Sequence, residues 1–348
     1  MSWNRKKTLL AGTVLVAACV GYVGWSYLWP QYLLKQAEQA MVANDLVRAE
    51  ELLQRLNRHA PRNGRARFLL AQVLRRRQRP DKAEEALRQA RQLGYPAIEC
   101  QRERVLNEAV IEFRPLIADA LIKLLNDKPD DGEVLQALAE AYGRLHNWTE
   151  ADRYLTRLIE QHPEKVEAWL ERGRVRQAAK ALERDQNHDD AAADFREVIR
   201  RAPDHFRARL SLAECLLSDA RIADAKSEFL ICRQLNPAHT EPLIGLAICA
   251  AEEQDLQQAQ ALLAQVLNLE PHSLIALSMQ GDFCLRRKEY AEAIRYYKKL
   301  LSLDPANTAA HLNLAQAFRQ SGRLEDAKNE EALFQQLRQP KGKRSSAP

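Results

Sequence analysis

Residues 271–305 read PHSLIALSMQGDFCLRRKEYAEAIRYYKKLLSLDP, and the fold prediction starts from this stretch. It begins with Pro271 and ends with Pro305. The same interval recurs between the prolines that precede it, and only the interval from Pro163 to Pro203 is longer; the series is Pro129, Pro163, Pro203, Pro237, Pro271 and Pro305. A regular period of roughly 34 residues indicates a solenoid, in which each repeat stacks only on its neighbours.

Small residues recur at two positions in each interval. In the quoted stretch they are Gly281 and Ala293, and the other intervals keep small residues at the equivalent positions. The helices of a hairpin approach closely only where their side chains are small, so these positions predict where paired helices cross. The first set is Ala37, Ala71, Ala139, Gly173, Ala213, Ala247, Gly281 and Ala315; the second is Ala49, Ala83, Ala151, Ala191, Ala225, Ala259, Ala293 and Ala327.

This combination of period and small positions resembles the tetratricopeptide repeat, a helix-turn-helix unit of about 34 residues. The resemblance covers residues 31–340 and implies an all-α fold, a right-handed α-solenoid of about nine helix-turn-helix units. A composition with 46% hydrophobic residues, 28% charged residues and only 12 glycines in 348 residues agrees with it. The expected repeats are about 31–63, 64–97, 98–131, 132–165, 166–205, 206–239, 240–273, 274–307 and 308–340.

Two repeats depart from this pattern. The third has Val105 at its first small position and Pro115 near the turn between its helices. The fifth is longer than the others, and the extra length falls within residues 177–190. Trp169 and Phe195 keep the two halves of the fifth repeat in phase, so the insertion is predicted to lengthen its turn and the flanking helix ends and to leave the stacking intact.

The N-terminal residues predict a membrane anchor in front of the solenoid. Residues 8–28 carry no charged side chain, and 21 helical residues are long enough to span the ~30 Å hydrocarbon core of a bilayer. We therefore expect a transmembrane signal-anchor helix at residues 8–29. Two alternatives stay open: a cleaved signal peptide, and a lipoprotein, because residues 16–19 resemble a lipobox that would acylate Cys19.

Basic residues at positions 5–7 predict the orientation of this anchor. The positive-inside rule keeps residues 1–7 in the cytoplasm and places the repeats outside it, in the periplasm of a bacterial envelope. The alternative is that the repeats face the cytoplasm. Residues 341–348 are expected to form a disordered basic tail.

The reactive residue types do not form a recognisable catalytic or metal site. The six cysteines include no CxxC pair, and the eight histidines are scattered. Gly-rich phosphate loops and nucleophile elbows are missing from the sequence. We therefore predict no enzyme activity, no cofactor and no metal ion. The cysteines are interpreted as small buried hydrophobic residues, with a disulfide among Cys215, Cys232 and Cys249 left open.

Positive charge is concentrated in the second repeat. The group, named here the basic patch, consists of Arg62, Arg65, Arg67, Arg75, Arg76, Arg77 and Arg79. One interpretation is a solvated face with cations near a helix C-terminus; the other is attraction to anionic lipid head groups near the anchor. Nucleic acid is not expected, because the patch lacks interleaved aromatic residues.

Tetratricopeptide repeat proteins bind partners in a concave groove lined by the first helix of each repeat, and the resemblance carries this geometry to the sixth to eighth repeats. The predicted groove residues are Leu210, Leu217, Ile244, Ile248, Ile275, Met279 and Leu285. The expected function is a non-catalytic, membrane-anchored scaffold that holds a partner protein or an extended peptide. The alternative is a regulatory or accessory subunit that positions an envelope-assembly enzyme at the membrane.

Overall fold

The computed structural model describes residues 28–111, 114–183 and 188–338. In these three ranges the regular elements are α-helices arranged as successive hairpins, without a strand. This confirms the all-α fold with solenoid-like helical repeats. Residues 1–7 and 341–348, for which we predicted a cytoplasmic N-terminus and a disordered tail, lie outside the described residues.

The chain divides into two compact units, Met1–Pro163 and Glu164–Pro348, named here the N-terminal and C-terminal units. The N-terminal unit begins with helix α1, residues 28–42. Its other helices are α2 (Leu46–His59), α3 (Gly64–Arg76), α4 (Pro80–Gln92), α5 (Ala97–Ile111), α6 (Pro115–Asp127), α7 (Gly132–Arg144) and α8 (Trp148–Gln161).

The C-terminal unit contains ten described helices, which also follow one another in pairs. They are α9 (Val166–Glu183), α10 (Asp189–Arg201), α11 (Phe206–Ser218), α12 (Ile222–Leu235), α13 (Glu241–Glu252), α14 (Leu256–Leu269), α15 (Leu274–Arg286), α16 (Tyr290–Leu303), α17 (Thr308–Gln320) and α18 (Leu324–Arg338).

Local signals begin and end these helices. Side chains such as Asn63, Asn147 and Asp255 cap helix N-termini by accepting a hydrogen bond from a backbone N–H three residues ahead. The turn inside each of seven described hairpins contains one residue with a positive φ, a common way to end a helix. These residues are Asn44, Gln78, His146, Ala220, Gln254, Lys288 and Gly322.

The small residues lie where the paired helices cross. Every alanine at the two sets of positions is at most 2% exposed. A Cβ atom built on Gly281 would lie 2.7 Å from the Tyr297 ring, and one built on Gly173 would lie 2.7 Å from the Phe195 ring. A larger side chain would therefore push the two helices apart. In the third repeat Val105 is buried, and Pro115 is the first residue of α6.

The predicted location as a single-pass membrane protein must be corrected. Within the described ranges, no helix is long and apolar enough to cross a bilayer. The longest of them, α9, has 18 residues but carries six charged side chains between Glu167 and Lys180, which a bilayer core does not accept. Only positions 28 and 29 of the predicted span at residues 8–29 are described, at the beginning of α1. The structure therefore does not support the membrane location.

Candidate partner-binding face and basic patch

The seven predicted groove residues lie on α11, α13 and α15, the first helices of three successive hairpins. Leu210 is buried in the hydrophobic core and is not accessible to a partner, whereas Ile275 is 60% exposed. The remaining five are half-buried: Leu217, Ile244, Ile248, Met279 and Leu285. We call the six accessible residues the apolar face of the C-terminal unit.

Helical spacing aligns these side chains. Ile244 and Ile248 are four residues apart on α13, and Ile275 and Met279 are four residues apart on α15. Residues at this spacing lie on the same side of a helix. Leu217, Ile244 and Met279 also pack partly against the core, which holds the apolar face in place.

Polar side chains beside the apolar face form hydrogen bonds within the C-terminal unit. Asp282 accepts a hydrogen bond from the Tyr297 hydroxyl at 2.5 Å and from the Asn313 side-chain amide at 2.9 Å. Burial and the neighbouring Asp282 carboxylate raise the pKa of Tyr297 above its usual value. Gln177 donates to Glu214 at 3.3 Å, and burial raises the pKa of this carboxyl group. The polar groups named here therefore join neighbouring helices.

The basic patch is largely neutralised within the N-terminal unit. Five of its seven arginines form ion pairs: Arg65 with Glu38, Arg75 with Glu103 and Glu133, Arg76 with Glu133, and Arg77 and Arg79 with Glu50. A guanidinium group that is already paired attracts a lipid phosphate less strongly. The structure thus gives no support to the lipid interpretation of the patch.

A charged network joins the first helices α3 and α5 to the beginning of α7. Arg75 donates from Nε to Glu103 at 2.5 Å, and the Glu103 side chain is fully buried. Arg102 makes two hydrogen bonds to Asp131, at 2.7 and 2.9 Å. Glu133 lies 3.3 Å from Arg75 and 3.4 Å from Arg102. The repeat pattern in the sequence does not predict this network, because its partners come from different repeats.

The network shifts the pKa values of its three carboxyl groups in different directions: that of Glu103 is raised, and those of Asp131 and Glu133 are lowered. Burial raises the pKa of Glu103, and the Arg75 charge only partly opposes it. Burial also acts to raise the pKa of Asp131, but the hydrogen bonds and charge of Arg102 outweigh burial and lower it. The pKa of Glu133 is likewise lowered, because the charges of the neighbouring arginines outweigh burial.

The described cysteines are free and buried, namely Cys100, Cys215, Cys232, Cys249 and Cys284. The possible disulfide among Cys215, Cys232 and Cys249 is therefore not present. Burial raises the pKa of the Cys215 thiol to about 12 and that of Cys232 to about 11. Cys19 lies outside the described residues. In the described part of the chain, no group of three or more His, Cys, Asp or Glu residues could hold a metal ion.

Two solved structures, those of PilW and PilF, share this architecture. PilW, described as a widely conserved type IV pilus biogenesis factor, is 20% identical with a TM-score of 0.52; the match covers 59% of this chain and 92% of PilW. Pseudomonas aeruginosa PilF is 17% identical with a TM-score of 0.50, and the match covers 60% and 91% of the two chains. At this level of identity the similarity extends to the fold alone.

A curated relative matches over a shorter region. The mouse and human O-mannosyl-transferases TMTC3 are each 25% identical over an alignment 150 residues long, and the match covers 39% of this chain. The match spans only 16% of the length of each transferase. Their named activity therefore does not transfer to this chain.

Family models supply the assignment. Models described as the tetratricopeptide repeat match residues 40–95, 137–183, 176–230, 244–308 and 285–332. The matches fall in both compact units, and they agree with the helical hairpins and with the small residues at the helix crossings. The chain therefore belongs to the tetratricopeptide repeat family.

Proposed function

We propose that the chain is a non-catalytic scaffold that binds a partner protein or an extended peptide on the apolar face of its C-terminal unit. The observation that carries this proposal is the row of accessible apolar side chains on α13 and α15, led by Ile275 with 60% exposure. Accessible apolar patches commonly mark protein-binding sites. The family assignment supports the same class of function, since these repeats generally mediate binding of proteins or peptides.

The test replaces Ile248 and Ile275 together by Asp. Ile275 is exposed and Ile248 is half-buried, and neither belongs to the buried core, so we expect the helical circular dichroism signal to stay nearly unchanged. Two buried charges in an interface should weaken partner binding by tenfold or more, because desolvating an unpaired charge is costly. The matched control replaces Leu230 and Leu269, which are 43% and 49% exposed on the second helices α12 and α14, by Asp.

The measurement is quantitative crosslinking and mass spectrometry of proteins recovered with each variant. A partner that is lost from the Ile248/Ile275 variant and kept by the Leu230/Leu269 variant supports the proposal. A partner recovered equally with both variants contradicts it. The alternative role is to position an enzyme, and it requires that the partner be an enzyme. The same experiment tests this role, because mass spectrometry identifies the recovered partner.

A further inference from the structure

A polar pocket lies between α2 and α3 in the N-terminal unit. It has a volume of about 350 Å³ and is lined by Gln54, Asn57, Arg58, Arg67 and Leu70. Neither the apolar face nor the charged network includes these residues. Four of the five are polar or cationic, and none is acidic.

Two of the lining side chains carry buried polar atoms that have no hydrogen-bond partner. Asn57 is only 7% exposed, and both its Nδ2 and its Oδ1 atoms are unpartnered. The Nε atom of Arg67 is also buried and unpartnered. A buried polar group left without a partner is destabilising, and such groups are rare in folded proteins. Both side chains therefore have polar atoms that can hydrogen-bond a ligand.

In the sixth repeat, the residue equivalent to Arg67 has hydrogen-bond partners that Arg67 lacks. Arg209 occupies the equivalent position there, six residues after the same proline. Its Nε donates to the Pro203 carbonyl at 2.6 Å, and its terminal nitrogen donates to Glu228 at 2.6 Å. Arg209 thus has a carboxylate partner from the second helix of its own repeat.

The ninth repeat contains the same arrangement. His311 stands at the equivalent position and contacts Glu330 at 2.6 Å. In both cases the carboxylate follows its partner, Arg209 or His311, by 19 residues. Nineteen residues after Arg67 stands Ala86, which is buried and has no side-chain acceptor. The second repeat therefore keeps the cation of this pair but lacks its carboxylate.

Other repeats fill the same two positions with apolar residues. The pairs are Leu135 with Tyr154, Leu243 with Leu262, and Leu277 with Tyr296. The two positions are thus apolar together in these repeats, whereas in the sixth and ninth repeats they hold a nitrogen-bearing side chain and a carboxylate in contact. A cation opposite an alanine, as at Arg67, fits neither arrangement.

We propose that this pocket binds an acidic residue of a partner polypeptide. The carboxylate of that residue accepts hydrogen bonds from the unpartnered Nε of Arg67 and from a terminal nitrogen of the same side chain, as Glu228 does from a terminal nitrogen of Arg209. An adjacent peptide group pairs with the Asn57 carboxamide, which offers N–H donors and an acceptor oxygen. Arg58 adds a second positive charge. Glu50, which accepts a hydrogen bond from the lining residue Gln54 at 2.9 Å, is already shared by Arg77 and Arg79.

This site is independent of the proposed function. Its residues belong to the N-terminal unit, whereas the apolar face belongs to the C-terminal unit. Variants at one site therefore leave the other intact, and the failure of one proposal does not imply the failure of the other.

The test titrates the full chain with N-acetyl-glutamate N-methylamide. The readouts are the NMR signals of the Asn57 side-chain amide and of the Arg67 Nε–H group, at constant ionic strength. We expect saturable shifts of both signals, and at least about tenfold weaker binding of the matched glutamine compound, because a charge-assisted hydrogen bond to Arg67 is lost. Sodium acetate should also bind about tenfold more weakly, since it lacks the peptide group.

Each alternative result of this titration overturns the proposal. Equal binding of the glutamine compound would show that the carboxylate is not recognised. Acetate that binds as tightly as the glutamate compound would assign the pocket to a free small carboxylate instead of a polypeptide residue. The absence of saturable shifts would show that the pocket binds neither.

Two variants test the repeat comparison directly. Ala86→Glu should supply an internal carboxylate to Arg67 and lower the affinity for the probe about tenfold or more. Arg67→Leu, which places in the second repeat the residue found in the fourth, should abolish binding without preventing folding. Gln92→Glu, an exposed position on the same helix as Ala86, is the charge-matched control and should bind normally. Unchanged affinity in both Ala86→Glu and Arg67→Leu would overturn the proposal.

Discussion

Single residues set the geometry of the turn inside each hairpin. At seven described turns one residue adopts a φ between 56° and 81°, and only one of these residues is a glycine. A side chain in this left-handed region costs roughly 1–2 kcal/mol relative to the right-handed conformation. The other six residues therefore carry a local strain that the packing of the two helices compensates.

Replacing Ala220 by Gly should relieve this strain. Ala220 has a φ of 57°, and glycine adopts this conformation without a steric penalty. After subtraction of the greater chain entropy of glycine in the unfolded state, we expect a stabilisation of about 0.5–1 kcal/mol. Urea unfolding followed by circular dichroism measures it.

The matched control is Ala261→Gly, at an exposed position inside α14. In a regular helix glycine should destabilise by about 0.5–1 kcal/mol. Two effects of the same sign would show that the conformation at Ala220 is not left-handed.

Each helical hairpin depends on the close approach of its two helices. Ala259 is fully buried on α14. Ala259→Leu should therefore overpack the crossing and lower the free energy of unfolding by about 1–3 kcal/mol. Gln257→Leu, at an exposed position of the same helix, should cost little, and similar losses at the two positions would contradict the assigned register of the repeat.

Helices of different repeats are also joined by charge, which makes the N-terminal unit sensitive to acid. Arg102 lowers the pKa of Asp131, so the folded state binds this proton less readily than the unfolded state. The pair therefore stabilises the fold above the ordinary pKa of the carboxyl group, and this stabilisation is lost as the pH falls through its lowered value.

Arg102→Met tests this dependence on pH. Unfolding in urea between pH 7 and pH 3 should show the largest difference from the unaltered chain near neutral pH, and a smaller difference in acid. Arg88→Met, which removes an exposed arginine paired within one helix, is the control and should change stability by at most about 1 kcal/mol. A difference for Arg102→Met that grows in acid would contradict the assigned pKa direction.

The stability of a repeat array is expected to be distributed among its repeats, because each repeat contacts only its neighbours. Ala71 and Ala259, both fully buried, lie in different compact units. The destabilisations caused by Ala71→Leu and Ala259→Leu should therefore add to within about 0.5 kcal/mol in the double variant.

A pair within one repeat provides the contrast. Ala247 and Ala259 occupy the two small positions of the same hairpin, so their substitutions by Leu should not be additive. Strong coupling between Ala71 and Ala259, measured by the same urea unfolding, would contradict a stability that is distributed among repeats.

The helical hairpins, their period and the small residues at their crossings are all readable from the amino-acid sequence. These features depend on interactions within one repeat, so they recur once in every repeat and can be read from the chain. The turns, the helix caps and the buried alanines follow from the same short-range order. The mismatch between Arg67 and Ala86 was also readable, because it needs only a comparison of equivalent positions.

The tertiary structure alone decided which charged and apolar side chains are accessible. Arg75 looked like part of a basic surface, but a fully buried Glu103 from the next repeat binds it. Leu210 looked like a groove residue, but it lies in the core. The membrane location inferred from residues 8–29 found no support in the described helices. The same physical reason applies to Arg75 and Leu210. Charge pairing and burial depend on side chains from other helices, and the periodicity of one helix does not encode them.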